Sequence, residues 1–290
     1  MTLEFGTCAC CLPVTIFGVL IFGWIVVQIL GAIGSVVAPR SVVLKNLFRI
    51  LRGLTSAVVA LLAIFLGVLQ THKDTRERFT AALISKMTQS PGMDPIRCAH
   101  VAHVKGRVLE FGFGPGTNFR CWQNADIVEW VGVDPNQHFG ESFKENIAKN
   151  NVSFSTSTVW LQGENADGDV DVQAESFDYV VGTHVLCSVD DVDQVLRQMG
   201  RALKPGGEIV FMEHVAAEEG STLRYVQRFL DPFFFLLANG CKFRPIWENL
   251  QAKGPMAALG DGFDVSLEHI MAPIPLPPLT PHIIGKAVKR

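Results

Sequence analysis

Charged side chains are scarce in this 290-residue chain, at 18% of the residues, and there is no excess of positive charge, the formal net charge being -3. A nucleic-acid binder needs a clustered basic face, so no nucleic-acid partner is expected. Internal repeats and low-complexity tracts are absent, which removes solenoids and propellers. The seven cysteines make no disulfide framework and no metal-ligand spacing. Cys8, Cys10 and Cys11 crowd together, while Cys98, Cys121, Cys187 and Cys241 are scattered. No metal site is expected, and reduced cytosolic chemistry fits best.

The shortage of charge is uneven. From Phe5 to Pro39 there is no charged side chain at all. Within that stretch, Leu12 to Ala38 would span ~40 Å as a helix at 1.5 Å per residue, enough to cross a bilayer. A basic leader and a small-residue cleavage pattern are both missing, so a secretory signal is not the reading. A basic connector with Arg40, Lys45, Arg49 and Arg52 follows, and then a second uncharged run from Gly53 to Thr71. That run fits equally a second span and an interfacial or core helix. Lys73, Arg76, Arg78 and Lys86 make the next flank basic too. The positive-inside rule then favours both flanks at once, and a hairpin or a monotopic anchor with both on the cytosolic side removes the conflict. Palmitoylation of the N-terminal cysteines and a plain apolar role for them both remain open.

The length suits one catalytic domain with an appendage. Residues 1–71 are expected to form the anchor, 72–106 a connecting helical segment, and 107–290 the catalytic domain. Helical spacing covers Lys73 to Met87 before TQSPGMDP breaks it.

The catalytic part is organised around RVLEFGFGPGTN, Arg107 to Asn118. Val108, Leu109 and Phe111 read as a buried strand. Gly112, Gly114 and Gly116 let the backbone turn with positive φ and lie close to a ligand, and about two turns of helix are expected from Thr117. Strands at Ile127 to Val133, Val152 to Trp160, Phe177 to Gly182 and Glu208 to Val215 alternate with helices at Gln137 to Lys149 and Val192 to Leu203. Lys204-Pro205-Gly206-Gly207 stops the second of these helices. Such alternation implies an α/β fold with a mostly parallel sheet and ligands at the carboxyl ends of its strands. Phe263 to Ile270 and Ile283 to Val288 read as an antiparallel pair at one edge, joined by the proline-rich MAPIPLPPLTP.

Thr117 stands where the dinucleotide fingerprint has its third glycine. Asp134 closes the second strand about 20 residues after the loop, placed to accept from ribose hydroxyls. A carboxylate at Glu110 would repel a pyrophosphate but suits a ligand carrying ammonium and sulfonium groups. The loop, Glu110, Asp134, the Phe177-Asp178 strand and the Lys204-Pro205-Gly206-Gly207 turn, in this order, make a specific combination.

VLEFGFGPGTN, VGVDPN, FDYVVGTHVLCSV, LKPGGEIVFMEHV and the closing PHIIGKAVK resemble the class I S-adenosylmethionine-dependent methyltransferases. More particularly, they resemble the membrane-anchored methyltransferase-like 7 proteins, the alkyl-thiol methyltransferases. The resemblance covers about Arg107 to Lys289. It implies a Rossmann-like seven-stranded sheet with helices on both faces and S-adenosyl-L-methionine as cofactor. It also implies methyl transfer to a small lipophilic thiol at the endoplasmic reticulum membrane or on lipid droplets, with the catalytic domain cytosolic and membrane lipid as a partner. The family has a shorter apolar leader and an acidic pair near the adenine, where this chain has Glu164 followed by the amide Asn165.

On this reading Glu110, Gly112, Gly114 and Gly116 take the methionine portion, Asp134 the ribose, and Glu164 or Asn165 the adenine edge. Thr183 and His184 face the methyl group. Glu213 and His214 border the acceptor, with His214 and His184 the candidate bases. Each has a plainer alternative: a solvated carboxylate at a strand end, a satisfied half-buried histidine, and for Cys187 a buried small hydrophobe. Phe229, Phe233, Phe234 and Phe235 cannot all face one way on a helix, so part of that surface should meet a lid, membrane or substrate. A membrane-lipid or quinone methyltransferase, and a non-catalytic membrane or lipid-droplet scaffold, are the competing readings.

Overall fold

The computed structural model describes residues 12–37, 41–88, 91–123, 125–160, 172–254 and 257–290. The N-terminal cysteines and Arg40 lie outside them. The chain divides into two compact units, Met1–Arg76 and Glu77–Arg290.

The first unit contains two helices, α1 (Leu12–Val37) and α2 (Val42–Thr71). Gly23 faces Val59 and Gly34 faces Phe48 so closely that a Cβ on either glycine would overlap the opposing side chain, which makes the pair an antiparallel hairpin. Small residues at such a seam let the backbones approach. The basic connector is not a loop. Ser41 caps α2 by accepting from the Leu44 N–H at 3.3 Å, and Lys45, Arg49 and Arg52 ride on its first turns, since long basic side chains are good helix formers. Consequently α2, with 30 residues, is the one helix among the described residues long and apolar enough to cross a membrane; Phe22–Gly34 is a shorter apolar stretch.

The next elements are α3 (Lys73–Met87), α4 (Asp94–Val101), β1 (Gly106–Phe111), β2 (Ile127–Asp134), α5 (Gly140–Lys149), β3 (Ser155–Trp160) and β4 (Phe177–Thr183). They are followed by α6 (Val192–Ala202), β5 (Leu203–His214), α7 (Thr222–Leu237), α8 (Ile246–Gln251), β6 (Phe263–Met271) and β7 (Pro281–Lys289). The seven strands run in the order β3-β2-β1-β4-β5-β7-β6, parallel except for β7, which is antiparallel to both neighbours. This is the expected α/β architecture, with the last two strands paired at one edge.

Period-2 alternation assigns the two faces. Leu109, Phe111, Val131, Val133, Val180, Ile209 and Phe211 join one buried cluster, which α6 completes with Val195, Leu196 and Met199. Val108, Trp130, Val181 and Val210 join another with Phe119, Trp122 and Phe143.

Several boundaries move. Instead of two helical turns, a five-residue 3-10 segment follows the glycine loop at Thr117–Cys121. It is held short because Cys121 is disulfide-bonded to Cys98 and the Trp122 indole donates to Val101 O at 3.0 Å, both on α4. That bond also corrects the expectation that no cysteines pair. Nothing in a 23-residue spacing signals it; the packing of α4 on the 3-10 segment brings the two Cα atoms to 4.8 Å. Val152 closes α5 by bonding back to Ile147 O, which delays β3 to Ser155. Lys204-Pro205-Gly206-Gly207 lies inside β5, where Lys204 pairs with Asp178 at the start of β4. These motif residues therefore tie strands together at the end of the sheet away from the glycine loop.

Candidate active site

The three loop glycines adopt positive φ, at 63°, 52° and 78° for Gly112, Gly114 and Gly116. At Gly112 a Cβ would lie 2.4 Å from Val185 Cγ2, so glycine there also lets the loop pack against the segment after β4. Phe113 anchors the loop from below. It is buried with its ring centroid 5.5 Å from Trp130, 4.9 Å from Phe143 and 5.1 Å from Trp160.

Glu110 is 2% exposed, and both of its oxygens are engaged. Asn118 Nδ2 donates to Oε1 at 2.8 Å and the Trp130 indole donates to Oε2 at 2.9 Å. The register explains the second bond. Glu110 pairs with Gly132, and the Trp130 ring lies across that glycine, where any Cβ would fall 2.1 Å from the indole. Burial pushes the Glu110 carboxyl up to about 7, against the lowering effect of the two hydrogen bonds.

Asp134, buried at the end of β2, accepts from Gly114 N at 2.9 Å and from Asn136 N at 2.8 Å. Burial pushes its carboxyl up to about 6, again opposed by its hydrogen bonds. The link to Gly114 couples the β2 end to the glycine loop. Asn136 Nδ2 reaches Glu77 O at 3.0 Å and Asn239 Oδ1 at 3.4 Å, closing the same corner. Thr183, at the end of β4, joins the constellation because Asn118 Nδ2 also donates to its Oγ1 at 3.0 Å. Glu164 and Asn165 lie outside the described residues.

His184 follows β4 with φ at 58°, and its Nε2 lies 3.0 Å from His282 Nε2. His282 Nδ1 faces Thr280 O at 3.1 Å. A carbonyl only accepts, so His282 donates from Nδ1–H to Thr280 O and accepts on Nε2 the hydrogen bond donated by His184 Nε2–H, leaving His184 Nδ1 as an acceptor. Burial, reinforced by the neighbouring His282, holds His184 well below the usual imidazole range. Burial likewise brings His282 down to about 4.

Glu213, fully buried, accepts from the backbone N–H groups of Val185 and Leu186 at 2.9 and 3.0 Å. It therefore shapes the turn that presents His184 and Cys187. His214, the last residue of β5, lies 3.0 Å from Cys241 Sγ through Nε2. Cys187 joins them, the three donor atoms all within 4.8 Å of one another. The hydrogen bond with Cys241, aided by His214, holds the Cys187 thiol well below its usual range despite burial, and pushes Cys241 up. Burial lowers His214, but the adjacent Cys187 more than compensates and its balance is upward.

Of the expected residues, Glu110 and Thr183 meet on Asn118, and Asp134 meets the loop at Gly114. His184 and His214 stand on one rim, their ring centroids 6.1 Å apart. Sequence reasoning missed Asn118, Trp130, His282 and Cys241. Asn118 had a signal, since it closes the glycine motif. His282 reaches the rim because β5 and β7 pair His214 with His282. Along α7, Phe229 is 73% exposed, whereas Phe234 is partly buried against the core, as an aromatic run on a helix requires.

A methyltransferase domain family model matches residues 109–211. The chain is 38% identical over 187 residues to human thiol S-methyltransferase TMT1A, covering 63% of this chain and 70% of that protein. Identity to human thiol S-methyltransferase TMT1B is 34% over 190 residues, covering 64% of this chain and 71% of that protein. Among solved structures, Haemonchus contortus phosphoethanolamine N-methyltransferase 2, in complex with phosphomonomethylethanolamine and S-adenosylhomocysteine, superposes with a TM-score of 0.51 at 15% identity. That superposition covers 67% of this chain and 52% of the other.

Proposed function

The chain belongs to the family of S-adenosylmethionine-dependent thiol S-methyltransferases, and from that premise we propose that it methylates small lipophilic thiols at a membrane surface. S-adenosyl-L-methionine is the cofactor. The observation that carries the site assignment is the pair of buried carboxylates, Glu110 and Asp134, tied to the residue that follows the glycine loop, Asn118, and to the loop's middle glycine through the Gly114 N–H. Glu110 and the loop glycines take the methionine portion, whose ammonium and sulfonium favour an anion in a low-dielectric setting. Asp134 takes the ribose. Glu164, Asn165 or both take the adenine edge. Thr183, His184 and His214 line the methyl and acceptor side.

In the reaction the acceptor sulfur attacks the methyl carbon as the bond to the sulfonium breaks, giving a thioether and S-adenosylhomocysteine. The thiol proton leaves. Because the sulfonium is already a good leaving group, alignment and exclusion of water do most of what an enzyme must do. The buried Glu110, Asp134 and His214 fit a closed, dry site.

Residues 1–71 serve as the anchor, supported by the α1–α2 hairpin and the apolar length of α2. Residues 72–106 connect it to the catalytic domain at 107–290. The endoplasmic reticulum membrane or the lipid droplet, with the catalytic part cytosolic and membrane lipid around the hairpin, is the setting we infer. The Cys98–Cys121 bond is the one observation that favours the opposite, luminal orientation, because disulfides persist in oxidising compartments.

The test is calorimetric binding of S-adenosylmethionine followed by turnover against thiols, phenols, amines, phospholipids and sterols. Methylation of alkyl thiols above all others is expected. Cofactor binding with no methylated thiol would overturn the substrate assignment, and the absence of cofactor binding would overturn the enzyme.

A further inference from the structure

The rim beside the cofactor loop gathers two thiols and an imidazole from three separate segments. Cys187 comes from the turn after β4, His214 ends β5, and Cys241 follows α7. All three are buried, with their donor atoms within 4.8 Å of one another. No disulfide joins Cys187 and Cys241, and other contacts hold the segments that bear them together. Lys242 N donates to Cys187 O at 3.0 Å, and the largely buried Lys242 side chain pairs through Nζ with Asp190 at 3.2 Å. Asn239 and Gly240, with φ at 54° and 84°, turn the chain so that Cys241 points back toward His214.

A tetrahedral zinc ion, with Zn–S of about 2.3 Å and Zn–N of about 2.0 to 2.1 Å, needs donor atoms roughly 3.5 to 3.8 Å apart. The 3.0 Å contact between His214 Nε2 and Cys241 Sγ would widen slightly, and separations up to 4.8 Å would close by about 1 Å. Thiolate and imidazole select a soft or borderline cation over magnesium or calcium. A set of three protein donors keeps a fourth position open, as catalytic zinc sites do.

We propose that Cys187, His214 and Cys241 bind a zinc ion whose fourth position takes the sulfur of the acceptor thiol. The proposal rests on the thiol methyl-transfer reading and deepens it. On binding, the thiol gives up its proton to solvent, because a coordinating thiol is deprotonated by the cation. A lone pair of the bound thiolate forms the new bond to the methyl carbon. The electron pair of the breaking bond returns to the cofactor sulfur. Neutral S-adenosylhomocysteine and a thioether result, and the thioether, a weaker ligand than the thiolate, leaves the metal. No side-chain base is required.

The experiment uses the full-length chain in detergent micelles. Atomic emission should find one zinc per chain, and cobalt(II) exchanged for it should give tetrahedral d–d bands with a sulfur-to-metal charge-transfer band. Adding an alkyl thiol should shift both. C187S and C241S should each abolish the cobalt spectrum while binding S-adenosylmethionine within about twofold of wild type. A wild-type chain that binds S-adenosylmethionine but neither holds zinc nor gives the cobalt spectrum overturns the proposal. So do a cobalt spectrum that persists in the double variant, a Cys187–Cys241 disulfide in the active protein, and undiminished thiol methylation by chain shown to be metal-free. Metal binding through these residues with no thiol methylated would instead leave the site standing and remove the substrate reading.

Discussion

Replacing Glu110 with glutamine should make the protein more stable in alkaline solution than the wild type while weakening its hold on the cofactor. In the folded protein the Glu110 carboxyl titrates at about 7, whereas its ordinary value is 4.5. The folded state therefore holds the proton more tightly than the unfolded state does. Its stabilising contribution is intact below pH 4.5 and is lost as the pH rises through 7. A difference of about 2.5 units, at 1.36 kcal/mol each, gives a full loss of about 3.4 kcal/mol, of which about 2 falls between pH 5.5 and pH 8. Asp134 contributes a slope of the same sign, but in both proteins, so it cancels from their difference. Glutamine keeps an acceptor for the Trp130 indole. Its amide would meet Asn118 Nδ2, yet a flip of Asn118 presents Oδ1, which has no partner among the described residues. Urea unfolding of the fragment beginning at Lys73 should show the stability difference between variant and wild type moving by about 2 kcal/mol in the variant's favour from pH 5.5 to pH 8. Calorimetry at pH 8 should show S-adenosylmethionine affinity falling at least about tenfold, the worth of a charge-assisted hydrogen bond. Parallel stability curves across that range would refute the assignment of a buried, proton-binding carboxyl to Glu110.

Asp134→Ala should lower S-adenosylmethionine affinity by about tenfold or more, since ribose contacts to a carboxylate are worth about 1.5 to 3 kcal/mol; unchanged affinity in a folded variant would take Asp134 out of the site. Membrane association should resist high salt, because apolar burial is not screened, and deleting residues 1–71 should release soluble protein. If the truncated chain still pellets, the exposed Phe229 and Tyr225 on α7 become the second contact surface. Asn151-Val152-Ser153 is a glycosylation acceptor with Asn151 exposed. A cytosolic catalytic unit should show no endoglycosidase-sensitive mass shift in cells, whereas a shift together with a Cys98–Cys121 cross-link in non-reducing peptide maps would turn that unit to the lumen.

What the sequence made legible follows from the range of the interactions involved. Alternation at Val108, Leu109, Val131 and Val133 is a local signal, so the strands and their α/β order were readable; their ends moved where tertiary bonds intervened, as at Val152. The positive φ of Gly112, Gly114 and Gly116 was readable because it depends on the absent Cβ alone. Glu110 and Asp134 were readable as acids beside that loop. Their partners were less so. Trp130 reaches Glu110 only because Gly132 leaves space across the strand, and no pattern in β2 announces which side chain will cover a glycine.

The acceptor side is a different case, because its residues are assembled entirely by long-range placement. His282 is carried to the rim by strand pairing across 68 positions from His214, and Cys241 by the turn that ends α7. The reading of Cys187 as a small buried hydrophobe was sound for the residue taken singly, and its burial agrees. What that reading lacked was the company of His214 and Cys241, which no spacing encodes. On the proposed assignment the cofactor half binds one molecule through a contiguous loop and two strand ends, whereas the acceptor half is composed from β4, β5, β7 and the α7 turn. The chemistry of the acceptor is therefore written in that convergence. With zinc held by the two thiolates and the imidazole, as proposed, the open fourth position would favour a thiolate over an amine or a phenol, and that is the physical reason to expect a thiol there.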